Sequence, residues 1–353
     1  MRWGLTVFLI LLTVVTGWAA ELPAASSGVL VQCPETLMAV GDIGFPKTLG
    51  ELILKDPSYP WKGTRDILEQ ADVLMGNLEI PLSLRGRAYT DKTWILRAHP
   101  QTVDALENIG FDIMTLANNH IMDFGPLALQ DTIDALKSKN IQYTGAGMNS
   151  DEARKAAWYV TPNGVKIAFL AYSLTFPDIF WAKPNRPGTA HGNPAHFIPD
   201  IKHAKESADI VVVSFHWSSE MLNYPKDYQK NYAKQCIDAG ASLVIGHHPH
   251  VLQGLQVYRG GLIAYSLGNF AFGTYSTQGV KDSIILAVDF ARDGLIQARL
   301  YPVNVDNHQV HFQTKRRFGK DAERVIQDLR NLSKEFKTEI LFQKDIGIIN
   351  IRK

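Results

Sequence analysis

The chain has 353 residues, of which 46% are hydrophobic and 20% charged, and its formal net charge at pH 7 is +1. This composition is typical of a globular protein long enough to bury a large core, and no repeat or low-complexity region interrupts it. The small net charge, without a basic block, argues against nucleic-acid binding.

The N-terminus has the pattern of a secretory signal peptide over residues 1–20. Arg2 precedes the apolar run Leu5–Val15, and small residues follow up to position 20. The run is too short for a comfortable membrane span, so we expect cleavage near residue 20, with an uncleaved anchor as the alternative. The mature protein is then extracytoplasmic, whether periplasmic, secreted or membrane-associated. There, Cys33 and Cys236 could form a disulfide, although the sequence does not show whether they are close.

After a linker over residues 21–34, short apolar strands alternate with helices. Strands are predicted at Thr36–Val40, Asp72–Met75, Phe111–Ala117 and Ile141–Thr144, and helices at Thr102–Asn108 and Pro126–Lys139. This alternation is typical of a parallel sheet covered on both faces, joined by right-handed crossovers.

The second half of the chain continues the α/β pattern and adds hairpins. The predicted elements are a hairpin within 158–171, a strand at Asp209–Phe215, a helix at Tyr224–Ala239, a strand at Ala241–Ile245 and hairpins within 253–266 and 283–303. Phe176–Pro199, rich in Pro, Gly and Asn, is predicted to be a long loop that forms a lid or substrate rim. We assign one domain to residues 35–305 and a C-terminal extension with a charged amphipathic helix to residues 306–353.

Polar side chains follow the predicted strands at the points where those strands end. Eight of them could bind a metal ion or a substrate: Asp42, Asn77, Glu79, Asn119, His120, His216, His248 and His250. Because parallel strands place their carboxyl ends on one edge of a sheet, we expect these residues to converge. His248 and His250 are two apart, so an extended backbone would put both on one face.

These nitrogen and oxygen donors, with no thiolate among them, suit Mn²⁺, Zn²⁺ or Fe²⁺. Eight donors exceed the needs of one tetrahedral ion and suffice for two ions. A pair of ions roughly 3.5–4 Å apart can clamp a phosphoryl oxygen and activate water. We predict a site for one or two divalent ions, with Glu79 as the bridging carboxylate.

Six motifs occur in order between Glu35 and Val303. They are Gly41-Asp42, Gly76-Asn-Leu-Glu79, Asn118-Asn-His120 with Asp123 and Gly125, His216-Trp217 with Glu220, Gly246-His-His-Pro-His250 and Tyr265-Ser-Leu-Gly-Asn-Phe270. Together they resemble the CapA family of poly-γ-glutamate capsule biosynthesis proteins, which belong with the calcineurin-like metallophosphatases. The resemblance implies a four-layer α/β/β/α sandwich of two mixed sheets flanked by helices, and a role in capsule or poly-γ-glutamate assembly.

The resemblance also implies roles for individual residues. Asp42 would hold a first ion, with Glu79 as bridge. Asn119, His216 and His248 would hold a second ion, and His250 would reach back to the first. His120 would be the catalytic acid or oxyanion stabiliser. The other polar residues of the motifs would bind substrate or support the ligands: Asn77, Asn118, Asp123, His247, Glu220 and Asn269.

The chain departs from the metallophosphatase pattern at three positions. Gly44 stands where an Asp-x-His motif would place a histidine, and Asn77 stands where a bridging Asp would be. The first ion site is therefore expected to be weak, mononuclear or empty. Ser218 replaces the glycine that usually follows His-Trp, which we expect to alter only a loop.

Two functions fit this pattern. The first is a metal-dependent hydrolase acting on a phosphoester or another bond of an anionic envelope polymer. The alternative, favoured by the missing histidine at Gly44, is a non-catalytic, polymer-binding accessory subunit of a membrane capsule-synthesis complex. A third interpretation is a structural α/β protein whose histidines only form hydrogen bonds, which suits any single histidine better than the whole set.

Overall fold

The computed structural model describes residues 34–274 and 280–352, all within one compact unit. The predicted signal peptide, the linker up to residue 33 and Cys33 lie outside the described residues, whereas Cys236 is buried. Among the described helices, none combines the length and apolar character needed to cross a membrane.

The secondary structure of the described residues follows the predicted α/β alternation. The strands are β1 (Glu35–Gly44), β2 (Val73–Leu78), β3 (Ile113–Thr115), β4 (Gln142–Thr144), β5 (Ala146–Gly147), β6 (Ala157–Val160), β7 (Lys166–Ser173), β8 (Gly188–Thr189), β9 (Ile210–His216), β10 (Leu243–His247), β11 (Leu255–Tyr258), β12 (Gly261–Ala264), β13 (Asn269–Phe272), β14 (Asp282–Ala291), β15 (Gly294–Asn304), β16 (Lys315–Arg316), β17 (Leu341–Gln343) and β18 (Ile346–Asn350). The helices are α1 (Lys47–Lys55), α2 (Arg65–Leu68), α3 (Val103–Ile109), α4 (Gly125–Ser138), α5 (Ser150–Arg154), α6 (Pro194–Lys205), α7 (Asp227–Ala239), α8 (Asn307–Val310) and α9 (Gly319–Leu332).

The larger sheet contains the parallel strands predicted from the first half of the chain. Its main order is β17-β18-β15-β14-β1-β2-β3-β4, with β13 also paired to β1 and β16 to β15. β1 to β4 run parallel, which confirms the prediction, whereas β14, β15, β18 and β17 are antiparallel to their neighbours. The loops after β1, β2 and β3 therefore leave the sheet at the same edge.

The smaller sheet has the order β11-β12-β10-β9-β7-β6. Its central strands β7, β9, β10 and β12 are parallel, and β6 and β11 close its edges as antiparallel hairpins. The central strands are buried along their length, which explains their nearly uninterrupted apolar sequences.

Three apolar clusters hold the layers together. One lies between the two sheets and joins residues such as Leu37 and Val73 of the larger sheet to Val212 and Ile245 of the smaller. A second packs α1, α3 and α4 on the outer face of the larger sheet, and a third packs α6 and α7 on the outer face of the smaller. The predicted four-layer α/β/β/α sandwich is confirmed.

Strands within residues 306–352 are part of the larger sheet. β16 and β18 pair with β15, and β17 pairs with β18. Val325 and Leu329 of α9 are fully buried in the cluster between the sheets. The apolar stripe of this charged helix thus closes one side of the sandwich, while its polar face meets solvent.

The predicted loop Phe176–Pro199 is shorter than expected, because α6 begins at Pro194. Asn193 caps this helix, with its side-chain oxygen accepting a hydrogen bond from the Ala195 N–H at 2.9 Å. Asn followed by Pro is a helix-start signal that the Gly- and Pro-rich composition concealed. His196 and His203 consequently lie on a helix, and only His191 belongs to the loop.

Candidate metal centre

The predicted site residues lie together where the two sheets present their carboxyl ends. Asp42 lies near the carboxyl end of β1 and Glu79 follows β2, whereas His216 and His247 are the last residues of β9 and β10. All four are buried. The expectation of one edge of one sheet is therefore corrected: the smaller sheet supplies His216, His247, His248 and His250, and the larger supplies the carboxylates, the amides and His120.

The histidine loop after β10 converges for a different reason from the one predicted. His248 and His250 have φ angles of +92° and +59°, so the backbone is left-handed at both positions and not extended. Two such residues close together store strain that the surrounding structure must hold. Gly246 allows the backbone at the end of β10 to pass close to Tyr265, because a Cβ at position 246 would lie 1.8 Å from the Tyr265 carbonyl oxygen.

Asp42 is the anchor of the imidazoles. One carboxylate oxygen lies 3.0 Å from Nδ1 of His247, and the other lies 3.2 Å from Nδ1 of His250. The backbone N–H of His248 also donates to this carboxylate at 3.3 Å. Burial raises the pKa of Asp42, but the hydrogen bonds from His247 and His250 outweigh it and hold that pKa well below its usual value.

A chain of amides fixes the orientation of Asn77. Asn118 accepts hydrogen bonds from the N–H groups of His120 and Ile121 through its side-chain oxygen, so its side-chain nitrogen must be the donor to Asn77 Oδ1 at 3.2 Å. Asn77 then donates through Nδ2 to Asp42 at 2.9 Å. These hydrogen bonds hold Asn77 against Asp42, and its supporting role stays a prediction.

Glu79 is fully buried, and neither of its carboxylate oxygens has a hydrogen-bond partner among the described residues. His216 Nε2 lies 3.4 Å away and His250 Nε2 lies 3.8 Å away. Glu79 belongs to two groups whose ligand atoms lie within 4.8 Å of one another, one with His248 and His250 and one with Asp42 and His216. This differs from the ligand sets that the resemblance implied, in which His216 and His248 shared an ion.

The protonation pattern follows from burial and from this crowding of charge. Burial, followed by the charge of Asp42, raises the pKa of Glu79 well above its usual value. Burial, followed by the charge of His250, lowers the pKa of His248 to about 3, and burial also holds the pKa of His216 well below 6.5. Burial lowers the pKa of His250 too, but Glu79 and Asp42 outweigh it and raise that pKa to about 10.

The donor set fits a divalent cation. A buried carboxylate without a partner is costly, and Nδ1 of His248 and Nε2 of His247 are likewise buried without partners among the described residues. A cation beside Glu79 would satisfy its oxygens and keep it ionised. Neutral imidazoles and a carboxylate, with no thiolate, suit Mn²⁺, Zn²⁺ or Fe²⁺. The identity and the number of ions stay predictions.

His120 and Asp123 form a pair beside the candidate ligands. Nδ1 of His120 lies 2.6 Å from Oδ2 of Asp123, and burial lowers the pKa of His120 against the influence of that carboxylate. Lys92 Nζ contacts the other oxygen of Asp123 at 2.5 Å and also reaches the carbonyl oxygen of Asn119. Burial outweighs Asp123 and lowers the pKa of Lys92.

The sequence did not single out Lys92. It lies in an irregular segment after β2, in Thr-Asp-Lys-Thr-Trp, where no strand end or motif marks it. Only the folded contact with Asp123 identifies it, and no local signal could have predicted that contact.

The remaining predicted residues hold ligands or lie at the rim. Asn119 Oδ1 lies 2.8 Å from His216 Nε2, and Asn269 Oδ1 lies 2.8 Å from His250 Nδ1. Glu220 is exposed, although its charge acts on Glu79. The predicted residues are therefore brought together, with Glu220 at the edge, while their individual roles stay predictions.

Two departures from the metallophosphatase pattern have structural explanations. A Cβ at Gly44 would lie 2.9 Å from the ring of Phe272, so this phenylalanine fills the space that a longer side chain would need. Ser218 has a φ angle of +78°, a conformation that favours glycine. Its N–H accordingly gains a hydrogen bond to the Tyr228 hydroxyl at 2.7 Å.

Comparisons with known proteins extend the likeness across most of the chain. Residues 36–274 match the family described as "Bacterial capsule synthesis protein PGA_cap". The PGA biosynthesis protein CapA of Bacillus subtilis is 35% identical over 76% of this chain and 70% of its own length. The capsule biosynthesis protein CapA of Bacillus anthracis is 35% identical over 76% of this chain and 67% of its own, and a probable polyglutamine synthesis accessory protein of Mycobacterium tuberculosis is 28% identical over 82% and 80%.

Solved structures show weaker likeness. A 5'-nucleotidase from Candida albicans has a TM-score of 0.42 at 11% identity, covering 87% of this chain and 60% of its own. The protein TT1561 of Thermus thermophilus also scores 0.42, at 9% identity, covering 74% of this chain and all of its own. These two likenesses carry no functional argument. The family match and the identities to the Bacillus proteins are sufficient, and the chain belongs to the bacterial capsule synthesis proteins of the PGA_cap family.

Proposed function

We propose that this protein is a metal-dependent hydrolase that cleaves a bond in an anionic polymer of the cell envelope or in a phosphoester. The observation that carries the proposal is the carboxylate of Glu79, which is fully buried, lacks hydrogen-bond partners among the described residues and belongs to both candidate ligand groups. Folding a carboxylate without hydrogen-bond partners into such a position is costly, and a bound cation would offset that cost.

The residues that would hold a divalent ion are Glu79 with His248 and His250, and Glu79 with Asp42 and His216. A bound ion supplies Lewis acidity and lowers the pKa of water. The imidazoles are already oriented in the metal-free protein, because Asp42 contacts the Nδ1 atoms of His247 and His250.

His120 is placed for proton transfer or for holding an oxyanion. Its Nδ1 is occupied by Asp123, so Nε2 is the atom left to face a substrate. Lys92 holds the second oxygen of Asp123, which fixes the carboxylate and therefore the imidazole ring. Orienting the imidazole in this way favours proton transfer at one defined atom.

The substrate class comes from the relatives. Their names refer to capsule, PGA and polyglutamine synthesis. We therefore propose an anionic, glutamate-based envelope polymer as the substrate, with phosphoesters as the other class that a divalent metal site can hydrolyse.

The test combines elemental analysis with turnover. Protein purified without chelator is analysed for bound Mn, Zn and Fe, and hydrolysis of γ-linked glutamate oligomers and of bis(p-nitrophenyl) phosphate is measured with each metal. Glu79→Gln is expected to lose bound metal and turnover together. Glu35→Gln is the matched control. Glu35 is also buried, but it lies at the start of β1, away from the metal centre, and accepts hydrogen bonds from Thr161 and Asn163. Folded wild-type protein with neither metal nor turnover would refute the proposal.

A non-catalytic accessory role is the second candidate, and two observations favour it. Both oxygens of Asp42 are already engaged by imidazoles, and Gly44 leaves no further ligand on that side. The relative from M. tuberculosis is itself called an accessory protein. Polymer binding that persists with chelator and with His248→Ala, in the absence of turnover, would favour this role.

We also propose that the protein acts outside the cytoplasm, on the basis of Arg2 and the apolar run Leu5–Val15. Cell fractionation and N-terminal sequencing of the mature protein test this. We expect a new N-terminus near residue 20, and recovery of the intact chain in the cytoplasm would refute it.

A further inference from the structure

A cleft of about 410 Å³ opens beside the His120–Asp123 pair and is not part of the candidate metal centre. Arg87, Tyr89, Met122, Phe180 and Arg186 are among the residues that line it. Its walls come from three segments: residues 87–91 after β2, residues 122–126 around the start of α4, and residues 179–187 between β7 and β8.

The cleft is joined to the centre by direct contacts. The N–H of Tyr89 donates to the carbonyl oxygen of Asp123 at 2.8 Å, and the Tyr89 ring meets the Phe180 ring edge-on at 5.1 Å. Lys92 Nζ, which holds Asp123, lies 5.5 Å from the centre of the Phe180 ring. A molecule in the cleft would therefore lie next to the residues that orient His120.

Arg186 has an uncompensated guanidinium in this cleft. Paired backbone hydrogen bonds with Lys183 form the turn that carries it, and its Nη2 donates to the Trp181 carbonyl oxygen at 2.9 Å. Its Nε is buried without a hydrogen-bond partner, and no carboxylate of the described residues forms an ion pair with it. The guanidinium therefore carries a charge that no described carboxylate pairs with, and a bound anion would compensate it.

Other arginines with a buried, unpartnered Nε differ from Arg186. Arg299 and Arg317 each have a carboxylate within 2.7 Å, and the Arg316 guanidinium lies 4.9 Å from the centre of the Tyr301 ring. Within the described part of the chain, Arg186 has neither kind of compensation. Arg87, the other arginine of the cleft, is exposed and likewise forms no ion pair with a described residue, so Asp91 is the acidic group that partly offsets the two charges.

We propose that this cleft is a subsite for a carboxylate of a glutamate-based polymer, bound by Arg186 with Arg87 at its mouth. The inference rests on the proposed function for its substrate class. Guanidinium groups bind carboxylates through paired hydrogen bonds, and the apolar wall of Met122, Ile179 and Phe180 suits the methylene groups of a γ-linked glutamate chain. A polyphosphate has charge but no methylene groups to place there.

Binding of a fluorescent γ-linked glutamate decamer to the full chain tests the subsite, with thermal melting to confirm that each variant folds. Arg186→Gln is expected to weaken binding about tenfold, as for loss of a charge-assisted hydrogen bond. Arg186→Lys keeps the charge, so its affinity should lie between those of wild type and Arg186→Gln. It also tests the subsite if Arg186→Gln does not fold. Lys183→Gln is the matched control: it removes one charge from the same turn outside the cleft and should change affinity less than about twofold.

Two further probes fix the ligand chemistry. A neutral decamer of γ-linked glutamine should bind weakly and be insensitive to Arg186→Gln, and polyphosphate should bind more weakly than the glutamate decamer, because it has no methylene groups for the apolar wall. Equal binding of the glutamate decamer by wild type and Arg186→Gln, or Arg186-dependent binding of polyphosphate alone, would overturn the proposal. Turnover of bis(p-nitrophenyl) phosphate should be unchanged in Lys183→Gln, because Lys183 is exposed and lies outside the cleft. An absence of turnover in wild type would count against the hydrolase and leave the binding result intact.

Discussion

Replacing Glu79 by glutamine should change the stability of the protein in opposite directions with and without metal. In metal-free protein the carboxylate is buried without partners, so its charge opposes folding. Burial raises its folded pKa above 4.5, so the folded state holds this proton more tightly than the unfolded chain does. Stability of the metal-free protein should therefore fall as pH rises above 4.5 towards the raised pKa, and Glu79→Gln should remove that fall.

The size of the effect can be worked from the burial. A buried, unsatisfied charged group costs about 2 kcal/mol or more. With an unfolding entropy of about 2.1 cal/mol/K per residue, a folded chain of about 320 residues shifts its Tm by about 1.5 °C per kcal/mol. Glu79→Gln in chelator should therefore melt about 3 °C above wild type at pH 8 and nearly equal to it at pH 5. Manganese at 100 times its Kd stabilises the folded wild type by about 2.7 kcal/mol, which should raise its Tm by about 4 °C. The Tm of the Glu79→Gln variant should hardly change when manganese is added.

Differential scanning calorimetry measures the Tm of wild type and of Glu79→Gln at pH 5 and pH 8, each with chelator and with Mn²⁺. Glu35→Gln is the control: Glu35 accepts a hydrogen bond from the Thr161 hydroxyl at 2.6 Å, so its replacement should destabilise the protein equally with and without metal. A Glu79→Gln variant that melts below wild type in chelator at pH 8, or that keeps the full metal-induced rise in Tm, would refute the reasoning.

Two further predictions follow from the charges around the centre. Lys92→Met breaks a buried ion pair with Asp123 and should lower the free energy of unfolding, measured by urea titration, by about 3 kcal/mol. Lys62→Met is the control, because it breaks an equally short but exposed pair with Asp56 and should change the free energy of unfolding little. Equal losses in the two variants would contradict the prediction. His250 keeps its proton up to a pKa of about 10 in metal-free protein, so the stabilisation from its charge is present below pH 6.5 and lost as pH approaches 10. Metal binding at pH 7 must displace that proton, and titration calorimetry in buffers of different ionisation enthalpy should show at least one proton released per chain; buffer-independent heats would exclude it.

The alternation of strands and helices made the fold predictable. The apolar strands before Asp42, Asn77, Asn118 and His216 were visible as short uninterrupted runs, and polar groups followed each of them. Because parallel strands present their carboxyl ends together, residues of neighbouring strands in one sheet, such as Asp42 and Asn77, could be expected to meet. That rule depends only on topology, which the pattern conveys. The contact of Asp42 with His247 also depends on how the two sheets face each other.

The parts that could not be predicted depend on contacts between segments without regular structure. Lys92 reaches Asp123 from an irregular loop, and no periodicity indicates where such a loop will lie. The left-handed backbone at His248 and His250 was missed because these residues usually avoid that conformation, and tertiary contacts to Asp42 impose it. The start of α6 at Pro194 was missed because a capping signal was hidden in a segment of loop-like composition.

Asp42 shows how the contacts can revise a role that the resemblance implied. A ligand to a first ion would keep an oxygen free, yet both oxygens of Asp42 engage imidazole Nδ1 atoms, which is how carboxylates orient histidines that bind metal through Nε2. The ring of Phe272 meanwhile occupies the space beside Gly44, so a longer side chain at position 44 would displace it. We therefore expect one tightly bound ion, held by Glu79, His248 and His250.

Metal titrations of variants test this assignment of Asp42. Asp42→Asn should keep one ion per chain with affinity lowered about 10- to 100-fold, the usual effect of losing a carboxylate that orients a ligand. His248→Ala and Glu79→Gln should lose the ion, since each removes a ligand that nothing nearby replaces. If Asp42→Asn lost all bound metal, or if wild type held two tightly bound ions, Asp42 would be a ligand itself. The contacts with His247 and His250 would then describe only the metal-free arrangement, because an ion would have to displace them to reach the carboxylate.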